Sequence, residues 1–365
     1  MRILVDGRWM SAPLRGMGRF ARQLIQPLLG TNQLLVLLPK GSVHNYASSA
    51  MYRRPVAFPL WEQLTLPSAA ARAKADYILC PYNTGPFYRS KEQKVLLVVH
   101  DLIYLESYRR LALSRSLYQS LGRVYRRVVM PPVLREAFRI VTVSHFTKHQ
   151  IIRRFRLSEE QISVIPNSLS NDLLMHPPSL LDRNAAIYLA VTGDAPSKNL
   201  AALLEAFRIA VDELPRGSCL WVVGVPKERQ RPWIERVAAL GIATNVVFLG
   251  TLTDRELMGL YDRAGSLVFP SLMEGFGIPL IEAMARRLPI AASNATAIPE
   301  VVGDAAVLFD PQDAMSIAAA IVKVGNDRVL REQLARCSDV RVHTFSHEAT
   351  GPLVKNFWAQ LGVPC

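Results

Sequence analysis

Cysteine is scarce in this chain: Cys80, Cys219, Cys337 and Cys365 stand far apart among 365 residues. They lack metal-ligand spacing and fit a reduced, cytosolic compartment. Also missing is any apolar run of about 18 residues, so no transmembrane helix is expected. No signal-peptide pattern precedes the first strand-like stretch, Arg2-Ile3-Leu4-Val5. The final Val-Pro-Cys is not a prenylation box, whose Cys stands further from the terminus. No Asp-x-Asp motif is placed to hold Mg²⁺ against a diphosphate, so neither a metal nor a cofactor is expected. There is no internal repeat or low-complexity tract. The 24 prolines and 20 glycines are spread along the chain, which argues against a disordered tail.

Acidic residues are short in the first half alone. Residues 1–170 hold 25 Lys+Arg against 9 Asp+Glu, while the rest holds 18 against 21. The first half therefore carries the whole basic excess. That points to an anionic partner: nucleic acid, a phospholipid surface or a phosphate-bearing acceptor. A solvated surface with no partner is the plainer account.

Half of the residues are hydrophobic, enough for two domains of about 150–200 residues. Apolar runs recur as candidate strands at Ile3–Val5, Leu34–Leu38, Tyr77–Cys80, Val95–Val99, Ile140–Val143 and Ser163–Ile165. Helical patterns such as Arg19–Leu29 and Leu111–Phe138 separate them. Proline-rich turn chemistry interrupts the series at Pro166–Arg183. A second series follows at Ala186–Val191, Leu220–Val223, Val246–Leu249, Leu267–Phe269, Ile290–Ala292 and Ala306–Leu308. Unalternated apolar runs mark parallel strands covered on both faces. The fold class is thus α/β, with two Rossmann-like, doubly wound parallel sheets expected to face each other across a cleft. The expected domains are 1–168, a linker 169–185, a second Rossmann-like domain 186–345, and a C-terminal helix 346–365 packing back toward the first domain.

The most informative stretch runs from Phe269 through Ser271, Glu274-Gly275-Phe276-Gly277-Ile278-Pro279-Leu280 and Glu282 to Ala283. Gly275 and Gly277 permit a tight turn and a close ligand. Pro279 suits the first turn of a helix. Free N–H groups there favour an anion such as a diphosphate. Glu282, expected in about the first turn, can accept the paired hydroxyls of a ribose, and Glu274 those of a sugar. Elsewhere, Lys198 in Pro196-Ser197-Lys198-Asn199-Leu200 opens a helix after a strand. His100-Asp101 follows the buried run Val95–Val99, at the strand end where α/β sites lie. Such a pair can hydrogen-bond a sugar or help proton traffic. Gly16-Met17-Gly18-Arg19-Phe20 forms a glycine loop, but no acidic residue follows at ribose spacing, which argues against an NAD enzyme.

Glu274 through Glu282 resembles the E-x7-E motif of glycosyltransferase family 4, the retaining GT-B enzymes. Pro289–Asn294, Pro299–Ala306 and Phe309-Asp310-Pro311 are also similar to that family, within which bacterial mannosyl- and rhamnosyltransferases of polysaccharide assembly look nearest. The resemblance implies that Glu274 contacts the donor sugar and Glu282 the ribose. Gly275, Phe276, Gly277 and Ile278 would lie by the sugar and phosphates, with Ser271 and Leu280 lining the same place. Lys198 would neutralise the diphosphate. The family usually has Arg at position 197, where this chain has Ser, so Arg255 or another base would have to compensate. His100, with Asp101, would approach the donor sugar. Gly16 and Gly18 would allow close approach of the donor phosphates or the acceptor, and Arg19 and Asn83 would face the acceptor. Ser144-His145-Phe146-Thr147 resembles a family turn, with Ser144 as a helix cap.

The resemblance further implies a nucleotide-diphosphate sugar as donor, GDP-linked favoured, and a polyprenyl-diphosphate- or lipid-linked saccharide as acceptor. Transfer would retain configuration by front-face displacement, the leaving phosphate oxygen taking the acceptor's proton. The Arg-rich stretch Arg109–Phe155 would lie on an anionic membrane surface, at the cytosolic face of the inner membrane. Two other readings remain. One is a nucleotide-sugar binder or epimerase of the same fold. The other is a nucleic-acid-binding protein using the basic half, which lacks a reader module and leaves Glu274–Glu282 idle.

Overall fold

The computed structural model describes residues 1–11, 16–42, 49–90, 92–107, 111, 117–169, 171–174, 177–178 and 183–363. Arg109, Arg110, Cys365 and residues 170, 175, 176 and 179–182 of the expected linker lie outside the described residues. The chain divides into two compact units. One takes Met1–Ser107, Ser114–Ser168 and Glu348–Cys365; the other takes Tyr108–Leu113 and Leu169–His347.

In the first unit the strands are β1 (Ile3–Asp6), β2 (Leu34–Pro39), β3 (Ser49–Arg53), β4 (Tyr77–Cys80), β5 (Lys94–Val99), β6 (Arg139–Thr142) and β7 (Ile162–Val164). They pair in parallel in the order β3-β2-β1-β4-β5-β6-β7. The edge strand β3 has no counterpart in the sequence reading. Its Ser-Ala-Met-Tyr-Arg is half exposed and carries no apolar run, so a search for buried runs passes over it.

In the second unit the strands are β8 (Asn184–Val191), β9 (Cys219–Val223), β10 (Val246–Gly250), β11 (Ala264–Phe269), β12 (Ile290–Ser293) and β13 (Ala306–Phe309). Their order is β10-β9-β8-β11-β12-β13, again all parallel. Counted within each unit, both sheets follow the Rossmann order, 3-2-1-4-5-6, and reverse beside their first strand. The reversals fall between β1 and β4, and between β8 and β11.

Each unit has its own core. Leu4, Trp61, Ile78, Leu97, Met130 and Leu134 belong to that of the first. Tyr188, Leu203, Phe207, Leu220, Val268 and Ile321 belong to that of the second. Each such side chain contributes about 1.5–3 kcal/mol by leaving water.

The helix His347–Gln360 closes on the first unit, where the buried Trp358 donates from Nε1 to Leu24 O at 2.7 Å. Arg183, expected in the linker, is instead fixed in the second unit. It donates to the carbonyls of Tyr261, Asp262, Ala264 and Arg286, and burial lowers its pKa to about 10.

Candidate active site

In the second unit two loops meet at the sheet's reversal. One follows β8 and carries Lys198; the other follows β11 and carries Glu274. Leu272 N donates to Ser197 O at 2.8 Å and ties them together. Asn199 then ties in a third loop: its Nδ2 donates to Pro270 O at 3.1 Å and to Pro311 O at 2.7 Å. It does so from a left-handed conformation, φ 58°, which Asn tolerates better than most residues. Lys198 does not open the helix; it ends a 3₁₀ turn, Pro196–Lys198, and the helix begins at Leu200.

On this frame Lys198 Nζ and Glu274 Oε1 form an ion pair at 2.6 Å, with the two side chains 32% and 13% exposed. The Glu274 backbone N–H is fixed by Thr296 Oγ1 at 3.0 Å. Both charges are therefore held by clipped backbone and occupy one another. A partly exposed pair of this kind contributes only about 1 kcal/mol, so a ligand that serves both groups can replace it.

The helix after β11 runs Ile278–Ala285, with Gly277 as its cap at φ 106°. A Cβ on Gly277 would stand 2.8 Å from Leu280 Cδ1 in a conformation that only glycine adopts easily. Pro279 is the second helical residue. Glu282 is the fifth, so it belongs to the second turn rather than the first. There it is buried, and Tyr261 OH donates to its Oε2 at 3.0 Å.

Leu280 does not line an open surface: its side chain is fully buried. Phe276 is likewise buried, edge-on to Phe345 at 5.5 Å. With side chains of that kind, Gly275, Phe276 and Gly277 can meet a ligand only through their backbone; Ile278 is half-buried. Ser271 Oγ is buried and has no hydrogen-bond partner, and the same holds for Ser293 Oγ. The two lie just past Phe269 and Ala292, which are paired across β11 and β12. Sequence reasoning missed Ser293, and it missed Arg229, which pairs with Asp194 at 2.8 Å in the loop after β8. Arg229 is a base held at this edge, whereas Arg255 is exposed on the helix Asp254–Arg263.

In the first unit His100 follows β5 and is buried. A carbonyl can only accept, so its contact with Pro81 O at 3.1 Å places the proton on Nε2 and leaves Nδ1 as an acceptor. Burial lowers the His100 pKa to about 4. The ring is thus neutral near pH 7, with Nδ1 available to accept a hydrogen bond. Asp101 Oδ1 accepts from Ile103 N at 3.0 Å and turns the chain. Asn83 is 1% exposed. It sits at φ 67°, and its Oδ1 accepts from His100 N at 2.6 Å. Gly16, Gly18 and Arg19 are not in a loop. They form the first turn of the helix Gly16–Ile25, whose early N–H groups have no intrahelical acceptor. Ser144 caps the helix His145–Phe155 by accepting from Thr147 N at 3.2 Å.

Part of the Arg-rich stretch is engaged within the unit, and Arg153 and Arg154 are exposed. Arg123, Arg127 and Arg154 donate to the carbonyls of Leu105 or Glu106 and so fasten the chain after β5. The helix Leu117–Glu136 exposes Leu121, Val124 and Val128, with the charged Arg135 and Glu136 exposed only at its end.

These two sheets and the paired loops at their reversals define a GT-B glycosyltransferase fold. Anabaena HepE, solved in complex with UDP-glucose, has the same fold, with a TM-score of 0.74 at 17% identity, covering 99% of this chain and all of that one. Family models for glycosyltransferase family 4 and for group 1 glycosyl transferases match residues 15–172 and 174–339. The chain belongs to this family of glycosyltransferases. It is 28% identical to the O-antigen chain mannosyltransferase B of Escherichia coli, over 91% of this chain and 92% of that protein. It is 35% identical to the MMP alpha-(1->4)-mannosyltransferase of Mycolicibacterium hassiacum, over 52% of this chain and 46% of that one.

Proposed function

We propose that the chain is a retaining, metal-independent hexosyltransferase. It moves mannose, or failing that rhamnose, from a nucleotide-diphosphate sugar to a lipid-linked saccharide during O-antigen or exopolysaccharide assembly. The observation that carries this reading is the Lys198–Glu274 pair set between clipped loops, with Glu282 in the second turn of the helix that follows.

Lys198 would take the diphosphate when Glu274 turns to the hydroxyls of the donor sugar. Backbone N–H groups at Gly275, Gly277 and Ile278 would add to the stabilisation of the leaving charge. Glu282, held by Tyr261, would receive the ribose, and Arg229 would supply the charge that Ser197 does not. His100 Nδ1 would accept a sugar hydroxyl. The departing phosphate oxygen takes the acceptor's proton, so no separate base is assigned. A GDP-linked donor is favoured through the likeness to mannosyltransferases.

The acceptor would be brought by a membrane. The exposed apolar face of Leu121, Val124 and Val128, on a unit with a large basic excess, suits an anionic cytosolic bilayer surface. No helix among the described residues is long and apolar enough to cross one.

The test incubates the protein with GDP-, UDP- and dTDP-sugars and a bacterial membrane extract. Nucleoside diphosphate should appear only when the extract is present, and the product should keep the donor's anomeric configuration by NMR. No release with any donor, or full activity in Glu282→Ala, would sink the reading.

A further inference from the structure

We propose that the reversal point of the first unit carries a second anion site, with Arg8 as its main ligand and Arg126 as its helper, for a phosphate or diphosphate group on the acceptor. This deepens the transferase reading and depends on it only for the word acceptor.

The position comes first. Arg8 lies just past β1 and Tyr82 just past β4, on the two sides of the reversal, outside the carboxyl ends where open α/β sheets bind ligands. Next is the way Arg8 is held. Asp6 receives Arg8 Nε at 3.1 Å and Nη2 at 2.6 Å, and its Oδ1 also accepts from Trp61 Nε1 at 3.1 Å. The guanidinium lies 4.2 Å from the centroid of Phe58, 5.4 Å from Trp61 and 5.7 Å from Tyr82. One edge of the fork is thus fixed, and Nη1 makes no hydrogen bond among the described residues.

Arg183 shows what a purely structural arginine does in this protein: it spends Nη1 and Nη2 on four carbonyls. Arg8 does not. A rigid guanidinium with a free edge is suited to phosphate, which accepts planar paired hydrogen bonds.

A second cation shares the same ring. Arg126 stands 5.8 Å from the Phe58 centroid and 4.7 Å from that of Tyr104, and its Nε is buried without a partner. Nearby, Asn83 Nδ2 is also buried and unpartnered. Three donors are therefore unused around one corner of the sheet. The negative groups there are already engaged. Asp6 is taken by Arg8. Glu62, on a π-helical turn Trp61–Thr65, receives Thr84 Oγ1 at 2.7 Å and Tyr125 OH at 2.6 Å, and burial pushes its carboxyl up toward the neutral form. Asp101, the remaining carboxylate beside Tyr104, is turned to the Ile103 N–H, and the two guanidinium groups favour an anion over an uncharged sugar.

Calorimetric titration of the full chain tests this, with the donor site filled by excess GDP or UDP. The probes are decyl diphosphate, inorganic pyrophosphate and the uncharged decyl mannoside. Arg8→Gln and Arg126→Gln should each weaken decyl diphosphate by about tenfold or more. Neither should alter affinity for GDP or UDP, which also reports that the variants are folded. Arg8→Lys should recover only part of the loss, because it restores charge without the fork. Pyrophosphate binding as tightly, with the same dependence on Arg8, makes the phosphate itself the ligand. Tighter binding of decyl diphosphate assigns a lipid-linked one. Equal affinity in the parent protein and Arg8→Gln, or no diphosphate binding at all, overturns the site. Failure to bind GDP or UDP overturns the transferase reading instead, while the Arg8 dependence of decyl diphosphate binding still decides this one.

Discussion

The same corner of the same sheet topology is built in two ways. At the reversal of the second unit, one backbone hydrogen bond and the Asn199 side chain clip three loops together, and a Lys–Glu ion pair spans two of them. In the first unit the corner is packed from aromatic rings around an arginine clamped by one carboxylate. The first arrangement keeps its charges balanced against each other. The second keeps a cation fixed and partly unused. A reacting group must exchange partners as charge develops, whereas a group that only anchors gains from being rigid.

The largest effect should come from breaking the paired side. Lys198→Ala should lower kcat by about 10²–10³-fold, as loss of one group that stabilises the leaving charge does; nucleoside-diphosphate release with saturating donor measures it. Glu282→Gln should raise the donor KM about tenfold with a smaller change in kcat, if its role is to hold the ribose. An equal fall in kcat and kcat/KM would instead put Glu282 in the transition state.

On the packed side the expected effect is on stability. His100 has its pKa lowered to about 4 by burial, from an ordinary 6.5. The folded protein thus binds fewer protons there than the unfolded chain. Stability should be fully present above about pH 6.5 and decline as the pH falls toward 4, by about 3 kcal/mol at pH 4. In His100→Asn this part of the decline should vanish from urea unfolding curves measured at pH 7 and pH 4.

Asn199→Ala should cost about 1–3 kcal/mol, since two carbonyls lose their donor and the left-handed backbone loses a tolerant residue. A thermal melt checks it, and an unchanged midpoint would mean that the clip adds nothing. The smallest change in stability, about 0.5 kcal/mol or less, belongs to Leu121→Gln with Val128→Gln. Sedimentation with anionic vesicles should nonetheless fall for this variant while turnover of a water-soluble acceptor stays the same.

How much the sequence revealed follows the same division. Each apolar run read as a strand is one, because the central strands are buried on both faces and even the edge strands β10 and β13 keep a run of apolar residues. Edge strand β3 escaped because Ser49–Arg53 has no such run. Glu274 and Glu282 stood out because glycine and proline punctuate the chain between them. Lys198 and Glu274 are 76 positions apart, so no spacing announces their pairing. Arg8 gave even less signal. Its meaning comes from Phe58, Trp61 and Tyr82, three aromatic residues brought to it by packing. The arginines of the long helix carried only part of the signal: charge alone suggests a wet or lipid-facing side, yet Arg123 and Arg127 turn back to carbonyls and leave the leucine and valines outside.

On the proposed reading, the Lys198–Glu274 contact would also act as a filter. A free phosphate ion that attracts Lys198 strips Glu274 of its partner and offers it little in return. A simple sugar that engages Glu274 does the same to Lys198. Only a molecule with an anion and hydroxyls at the right separation compensates both halves of the broken contact. In a cell crowded with phosphate, nucleotides and monosaccharides, this coincidence requirement would give a several-fold preference, the worth of about 1 kcal/mol, to ligands that carry both features in one piece.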